Sequence, residues 1–342
     1  MKRYLIFIVL FAVKFNAQDI HTSQVHEYDY LYNPAMVGNF KGNYRANLSS
    51  RSQWSSINKA FQTYSFSADA AFFKNKWKSG HLGIGVSANS DNAGNGFLKS
   101  NNVNLGISGV VNLNAKNNLS VGLLSSFTQS SIDPSTIVWG TQFDGNSYNT
   151  NLPTQEMFYI EQFSFFDLSS GLAWNFSKKE RNLASHDETR FQLGVAAYHL
   201  NNPSMYNAIS ADTLFRRYVL YGKGFIGLSN SNTALLPHVL VQMQGPNMEI
   251  LTGTYFRIRI KEASKVTGFV KESALSLGTS WRYGDAIIPA VIFELSSYSI
   301  GVSYDINISK LNTATNMMGG LEITFRFLNP SPFAYKSFKP SL

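Results

Sequence analysis

Seven charged side chains near the C-terminal end of this chain share one parity. Arg257, Arg259, Arg282, Glu294, Asp305, Glu322 and Arg326 each fall on the position opposite the apolar residues of their own segment. Acids and bases alternating on one face form ion pairs, and pairs of this kind are tolerable only where they are screened from hydrocarbon. A charge turned toward lipid at mid-depth costs about 2–4 kcal/mol, so shared parity implies a common inward face. The expected arrangement is a lumenal ion-pair network, and a transport filter would require the same facing.

Other residues that carry chemistry point to no reaction. His21, His26, His81, His186, His199 and His238 have no paired helical spacing and no carboxylate pattern suited to a metal. His199 stands beside Asn201 and Asn202 at a strand end, where a membrane hydrolase would place a histidine with a polar orienter. The chain carries no GxSxG elbow to complete it, so His199 reads as a rim or turn histidine. No phosphate-cradling loop or dinucleotide fingerprint is present. Asp91-Asn92-Ala93-Gly94-Asn95-Gly96 has too few carboxylates for a calcium cage and reads as a turn. The expectation is a protein that is not an enzyme and uses no cofactor or metal.

The elements that position these residues repeat with a period of two. Val103, Leu105, Ile107, Gly109, Val111 and Leu113 alternate with Asn104, Gly106, Ser108, Val110 and Asn112. Tyr298, Ile300, Val302, Tyr304, Ile306 and Ile308 alternate with Ser299, Gly301, Ser303, Asp305, Asn307 and Ser309. About ten residues per segment is what a tilted strand needs to cross a bilayer. Strands are expected at 42–51, 61–73, 80–90, 101–114, 117–130, 163–176, 190–200, 215–229, 233–243, 247–260, 274–283, 286–296, 298–308 and 319–328. An even count of about fourteen returns the chain to its starting side, as bacterial outer-membrane barrels do. The fold class is therefore all-β, a transmembrane antiparallel β-barrel whose apolar stripe faces membrane lipid. The 131–162 link reads as one extended loop.

Composition agrees. The 342 residues include 14% aromatics, 15% charged residues and 25 glycines, with a mean hydropathy of −0.12 that averages lipid and lumen faces. No apolar run reaches the ~18 residues of a transmembrane helix. With no cysteine there is no disulfide, no thiolate metal site and no lipid-modified cysteine. The net charge of +8 is scattered, without the basic stripe that nucleic acid requires. Residues 1–17 read as a signal peptide, with Lys2 and Arg3 before an apolar stretch and a cut before Gln18. Residues 18–41 form a pre-barrel segment, 42–328 the barrel and 329–342 a proline-punctuated tail. The localisation expected is the cell outer membrane.

Tyr32-Asn33-Pro34-Ala35-Met36-Val37-Gly38, then Tyr44-Arg45 and Arg51-Ser52-Gln53-Trp54, resembles the start of the PorP/SprF family of type IX secretion. Gly94-Asn95-Gly96, Ser130-Ser131-Ile132-Asp133 and Tyr198-His199-Leu200-Asn201-Asn202-Pro203 continue the resemblance. So do Ser303-Tyr304-Asp305-Ile306-Asn307-Ile308-Ser309-Lys310-Leu311 and Gly319-Gly320-Leu321-Glu322. The resemblance implies an outer-membrane barrel that assists secretion or surface attachment of a partner by non-covalent binding. In the best-known branch that partner is a gliding-motility adhesin with a C-terminal sorting domain. Other members act with core type IX secretion and peptidoglycan-associated components. Asn33, Pro34 and Ala35, the 131–162 loop, and Phe333, Tyr335 and Phe338 of the tail are the expected partner contacts. The alternative function is a hydrophobic-solute or passive transport channel, with residues 18–41 as its plug.

Overall fold

A computed structural model describes residues 21–56, 61–74, 76–77, 79–93, 98–132, 139–155, 162–178, 188–207, 210–262, 272–309 and 315–329. The strands are β1 (Tyr44–Gln53), β2 (Phe61–Phe72), β3 (Gly80–Ala93), β4 (Leu98–Asn112), β5 (Asn117–Ile132), β6 (Gln162–Lys178) and β7 (Thr189–Tyr198). A short hairpin follows, β8 (Ser204–Asn207) and β9 (Ser210–Thr213). The series ends with β10 (Arg217–Gly227), β11 (Thr233–Gln244), β12 (Asn247–Lys261), β13 (Ser273–Arg282), β14 (Ala286–Leu295), β15 (Tyr298–Asn307) and β16 (Met318–Asn329). All but β8 and β9 pair in sequence order into one closed antiparallel barrel of fourteen strands, and β1 closes it against β16.

Burial is inverted relative to a water-soluble sheet. Along β4, Val103, Leu105 and Ile107 are 58%, 54% and 52% exposed, whereas Asn104 and Ser108 are 6% and 5% exposed. Side chains alternate across a strand, so the apolar set lies outside and the polar set inside. A surface this apolar is compatible with hydrocarbon and not with water. Aromatic rings collect at both rims: Tyr44, Phe327, Tyr298 and Phe325 in mutual contact at one, Trp54 with Phe61 and Trp281 with Tyr283 at the other. Two such girdles flanking an apolar band mark the two membrane interfaces.

The barrel's first and last strands, Tyr44 and Asn329, meet at one rim. The strand ends that flank the two longest links, 133–161 and 199–216, lie at the other. Outer-membrane barrels keep termini and short turns in the periplasm and longer loops outside, which orients the molecule. Pro237 and Pro289 lie inside β11 and β14 rather than at their starts. Each coincides with a gap in its ladder: pairing passes from Lys223↔His238 to Ile226↔Leu235, and from Ile287↔Ile306 to Ala290↔Ser303. A proline offers no N–H to the neighbouring strand, and the ladder is interrupted where one is missing.

Candidate functional site: a plugged lumen

Residues 21–41 run inside the barrel. Val25, Tyr28, Tyr30, Tyr32, Ala35, Met36 and Val37 are buried in one apolar cluster with wall residues such as Leu124, Ala173, Val219, Leu240, Leu251 and Ile288. Short turns fold the segment, and its polar side chains are satisfied largely by the wall. A single helical turn, α1 (Asp29–Tyr32), is followed by a 3-10 turn at Pro34–Met36. Proline suits the first position of such a turn, where its missing N–H has no partner to lose. Asn33 caps it, with Oδ1 accepting from Ala35 N at 2.8 Å. The same side chain donates to the carbonyls of Leu172 at 2.9 Å and Val195 at 3.2 Å, binding the turn to β6 and β7.

The wall is thinned where this turn rests on it. A Cβ at Gly171 would stand 1.9 Å from Asn33 Oδ1, and one at Gly122 would stand 2.3 Å from the Pro34 carbonyl. Gly83 faces the Val37 carbonyl in the same manner, and Gly194 meets Asn33 and the Tyr221 ring. Glycines on β3, β5, β6 and β7 thus form a seat for Asn33 to Val37. Any side chain on that seat would displace the plug.

Charge fixes the plug to the rest of the wall. Toward the extracellular rim, Arg51 contacts Asp305 at 2.8 Å and Glu322 at 2.9 Å, and Arg282 contacts Asp305 at 2.7 Å. Ser23 of the plug sits among them. Its N–H donates to Glu322 at 2.8 Å, its hydroxyl donates to Asp305 at 2.7 Å, and Arg282 donates to that hydroxyl at 2.9 Å. Deeper in the barrel, Asp29 pairs with Arg45 of β1 at 2.9 Å and with Lys223 of β10. Arg45 also makes a two-bonded contact with Asp69, whose other role is to accept from Gly38 N at 2.7 Å. Arg326 reaches Glu27 of the plug at 3.2 Å.

Of the seven charges singled out by parity, Arg282, Asp305 and Glu322 meet in the Ser23 cluster. Arg257 and Glu294 meet at 2.7 Å in a second group near the periplasmic rim, where Glu272 joins Arg257 at 2.9 Å and Arg259 at 3.5 Å. Arg326 stands apart with Glu27. Arg45, Arg51, Asp69 and Lys223 complete these groups and carry the same signal, since all lie on the polar parity of their strands. Asn33, Pro34 and Ala35 are fully inside, so nothing outside the barrel touches them while the plug is seated. Phe333, Tyr335 and Phe338 lie outside the described residues, as do Gly94-Asn95-Gly96 and the signal segment.

His199 adopts a left-handed backbone, φ 60°, and its Nδ1 lies 2.9 Å from Asp167 Oδ2. Ser169 donates to the same carboxylate oxygen at 3.4 Å. With Asn201, which bonds Leu168 N and Phe166 O, the pair anchors the link carrying β8 and β9 to β6. Among the described residues, no group of three or more His, Cys, Asp or Glu is arranged to hold a metal.

One small cavity lies beside the plug among the described residues. It is lined by Tyr28, Tyr30, Asn47, Ser65 and Ser87 and measures about 20 Å³, room for a single water. Its polar atoms Tyr28 OH, Asn47 Oδ1 and Ser65 Oγ have no protein partner, which suits such a water.

Closed strand pairing, an apolar exterior between aromatic girdles and a polar interior occupied by residues 21–41 define an outer-membrane β-barrel. The chain belongs to the PorP/SprF family of type IX secretion system membrane proteins, whose family model matches residues 14–327. No curated protein matches it. Solved structures similar to it include the toluene transporter TodX of Pseudomonas putida, at 6% identity over 87% of this chain and 91% of that one, TM-score 0.45. The CymD monoaromatic hydrocarbon channel has 10% identity over 88% and 92%, TM-score 0.44. The β domain of the Bordetella autotransporter BrkA has 10% identity over 84% and 99%, TM-score 0.37.

Proposed function

We propose that the protein is an outer-membrane docking platform that assists type IX secretion or surface attachment of a partner protein by non-covalent binding. One observation carries this reading: the lumen is occupied from rim to rim by residues 21–41, held by buried ion pairs and seated on glycines. A barrel filled in this way works through its loops and rims. Family membership supplies the process, and a secreted surface protein with a C-terminal sorting domain, such as a gliding adhesin, is the partner class it suggests. Periplasmic and peptidoglycan-associated components of the same machinery are the second class of partner.

A hydrophobic-solute channel is the competing reading, and it requires the plug to leave. Removal of the plug separates Asp29 from Arg45 and Lys223, Glu27 from Arg326, and Ser23 from Asp305 and Glu322; Arg45 keeps Asp69 and the two acids keep Arg51, whereas Lys223 and Arg326 lose their carboxylates. Leaving a buried charge without its partner costs about 3–5 kcal/mol, so the Asp29–Lys223 pair opposes departure of the plug.

Deleting the gene tests the proposal. Loss of one or a few surface proteins with normal solute uptake is the expected result. Impaired uptake of small hydrophobic solutes with an unchanged surface would overturn it.

A further inference from the structure

We propose that the extracellular loop between β5 and β6 recognises its protein partner through Phe143, Tyr148 and Asp144, gripping a cationic side chain set in an apolar patch. This rests on the docking function proposed above and names the surface that performs it.

Residues 139–155 are folded around a buried glutamine. Gln142 is 4% exposed; its Oε1 accepts from Trp139 N at 3.1 Å, and its Nε2 donates to the carbonyls of Leu152 at 3.1 Å and Thr150 at 3.4 Å. Asn149 N donates to the Gln142 carbonyl at 2.8 Å, and Thr141 closes the base by donating to Thr154 O at 2.7 Å. A polar centre is unusual in a folded loop. It leaves the rings outside, with Phe143 48% and Tyr148 59% exposed. They are bridged by backbone pairing and lie 5.2 Å apart. Between them in sequence, Asp144 accepts from Asn146 N and Ser147 N, so an exposed carboxylate caps the turn that carries the two rings.

Two observations select a protein over lipid as occupant. The aromatic boundary on these strands falls at Phe127 and Phe166. Beyond it every outward position is polar: Gln129 and Ser131 on β5, Ser164 and Gln162 on β6. From Phe127 to the end of β5 is five residues, roughly 13 Å above the interface after allowing for strand tilt. The strand ends that carry this loop therefore stand in water. Asp144 is also the only charged residue from 139 to 155, so the charge that complements this surface is a single cation. Two rings flanking one carboxylate suit an Arg or Lys through cation–π and ionic contact together. Exposed, pre-ordered aromatics of this kind act as anchors in protein interfaces.

The test compares cells carrying wild-type protein, the deletion, F143A/Y148A, D144N and Y148F. Surface-shaved proteins are quantified, together with the amount of folded barrel in the outer membrane. Surface proteins lost in the deletion should fall at least tenfold in F143A/Y148A, fall less in D144N, and remain near wild type in Y148F, with barrel amount unchanged. Wild-type display in F143A/Y148A alongside loss in the deletion overturns the loop assignment and leaves the docking function standing. An unchanged surface in the deletion overturns both. Reduced barrel amount in F143A/Y148A with normal display per barrel assigns the rings to lipid anchoring, and also overturns the proposal.

Discussion

Asp29 Oδ2 lies 2.9 Å from Arg45 Nη1, joining the plug to the strand on which the barrel closes. The other oxygen of Asp29 meets Lys223 on β10, which is seven strands from β1 in either direction around the barrel. One carboxylate thus spans opposite walls. Asp29→Ala leaves two cations buried without it, and the expected loss of stability is about 3–5 kcal/mol. Denaturant unfolding of the purified barrel in detergent measures it; a change under 1 kcal/mol would show that the strut is idle.

Glycines predict where bulk is forbidden. Gly122→Val and Gly171→Val drive side chains into Pro34 and Asn33, and the plug should become accessible to protease added to membranes. Gly109→Val, which meets nothing within 4 Å, is the matched substitution and should leave digestion unchanged. Equal digestion of all three would remove the seat from the account.

Facing is tested on the lipid side. Val302, at mid-strand in β15, points outward, and Val302→Arg should cost about 2–4 kcal/mol. Val302→Leu should be neutral within about 1 kcal/mol. A tolerated arginine there would reverse the orientation.

Strand parity was readable before any coordinates because lipid imposes it at every outward position. All fourteen barrel strands, and the inward facing of Arg257, Arg282, Glu294, Asp305 and Glu322, follow from that one rule. Ends are less legible: β4 begins at Leu98 rather than 101 and β6 extends to Lys178, since strand overhang beyond either membrane interface carries no periodic apolar signal. The β8–β9 hairpin was missed within a link of mixed polarity. Least readable is how the Asn33-Pro34-Ala35 turn is held, since its conspicuous motif suggests a partner contact without naming what it rests on. Its partners are backbone carbonyls of Leu172 and Val195 and glycines on distant strands, and none of these leaves a local pattern. Gln142 gave no sign of being a loop centre for the same reason.

Ion conductance of the purified full-length protein in a planar lipid bilayer bears most directly on the sealed lumen. Insertion should produce no steady current, whereas a variant lacking residues 21–41 should open a stable pore. A steady ohmic current through the wild-type barrel would contradict the account.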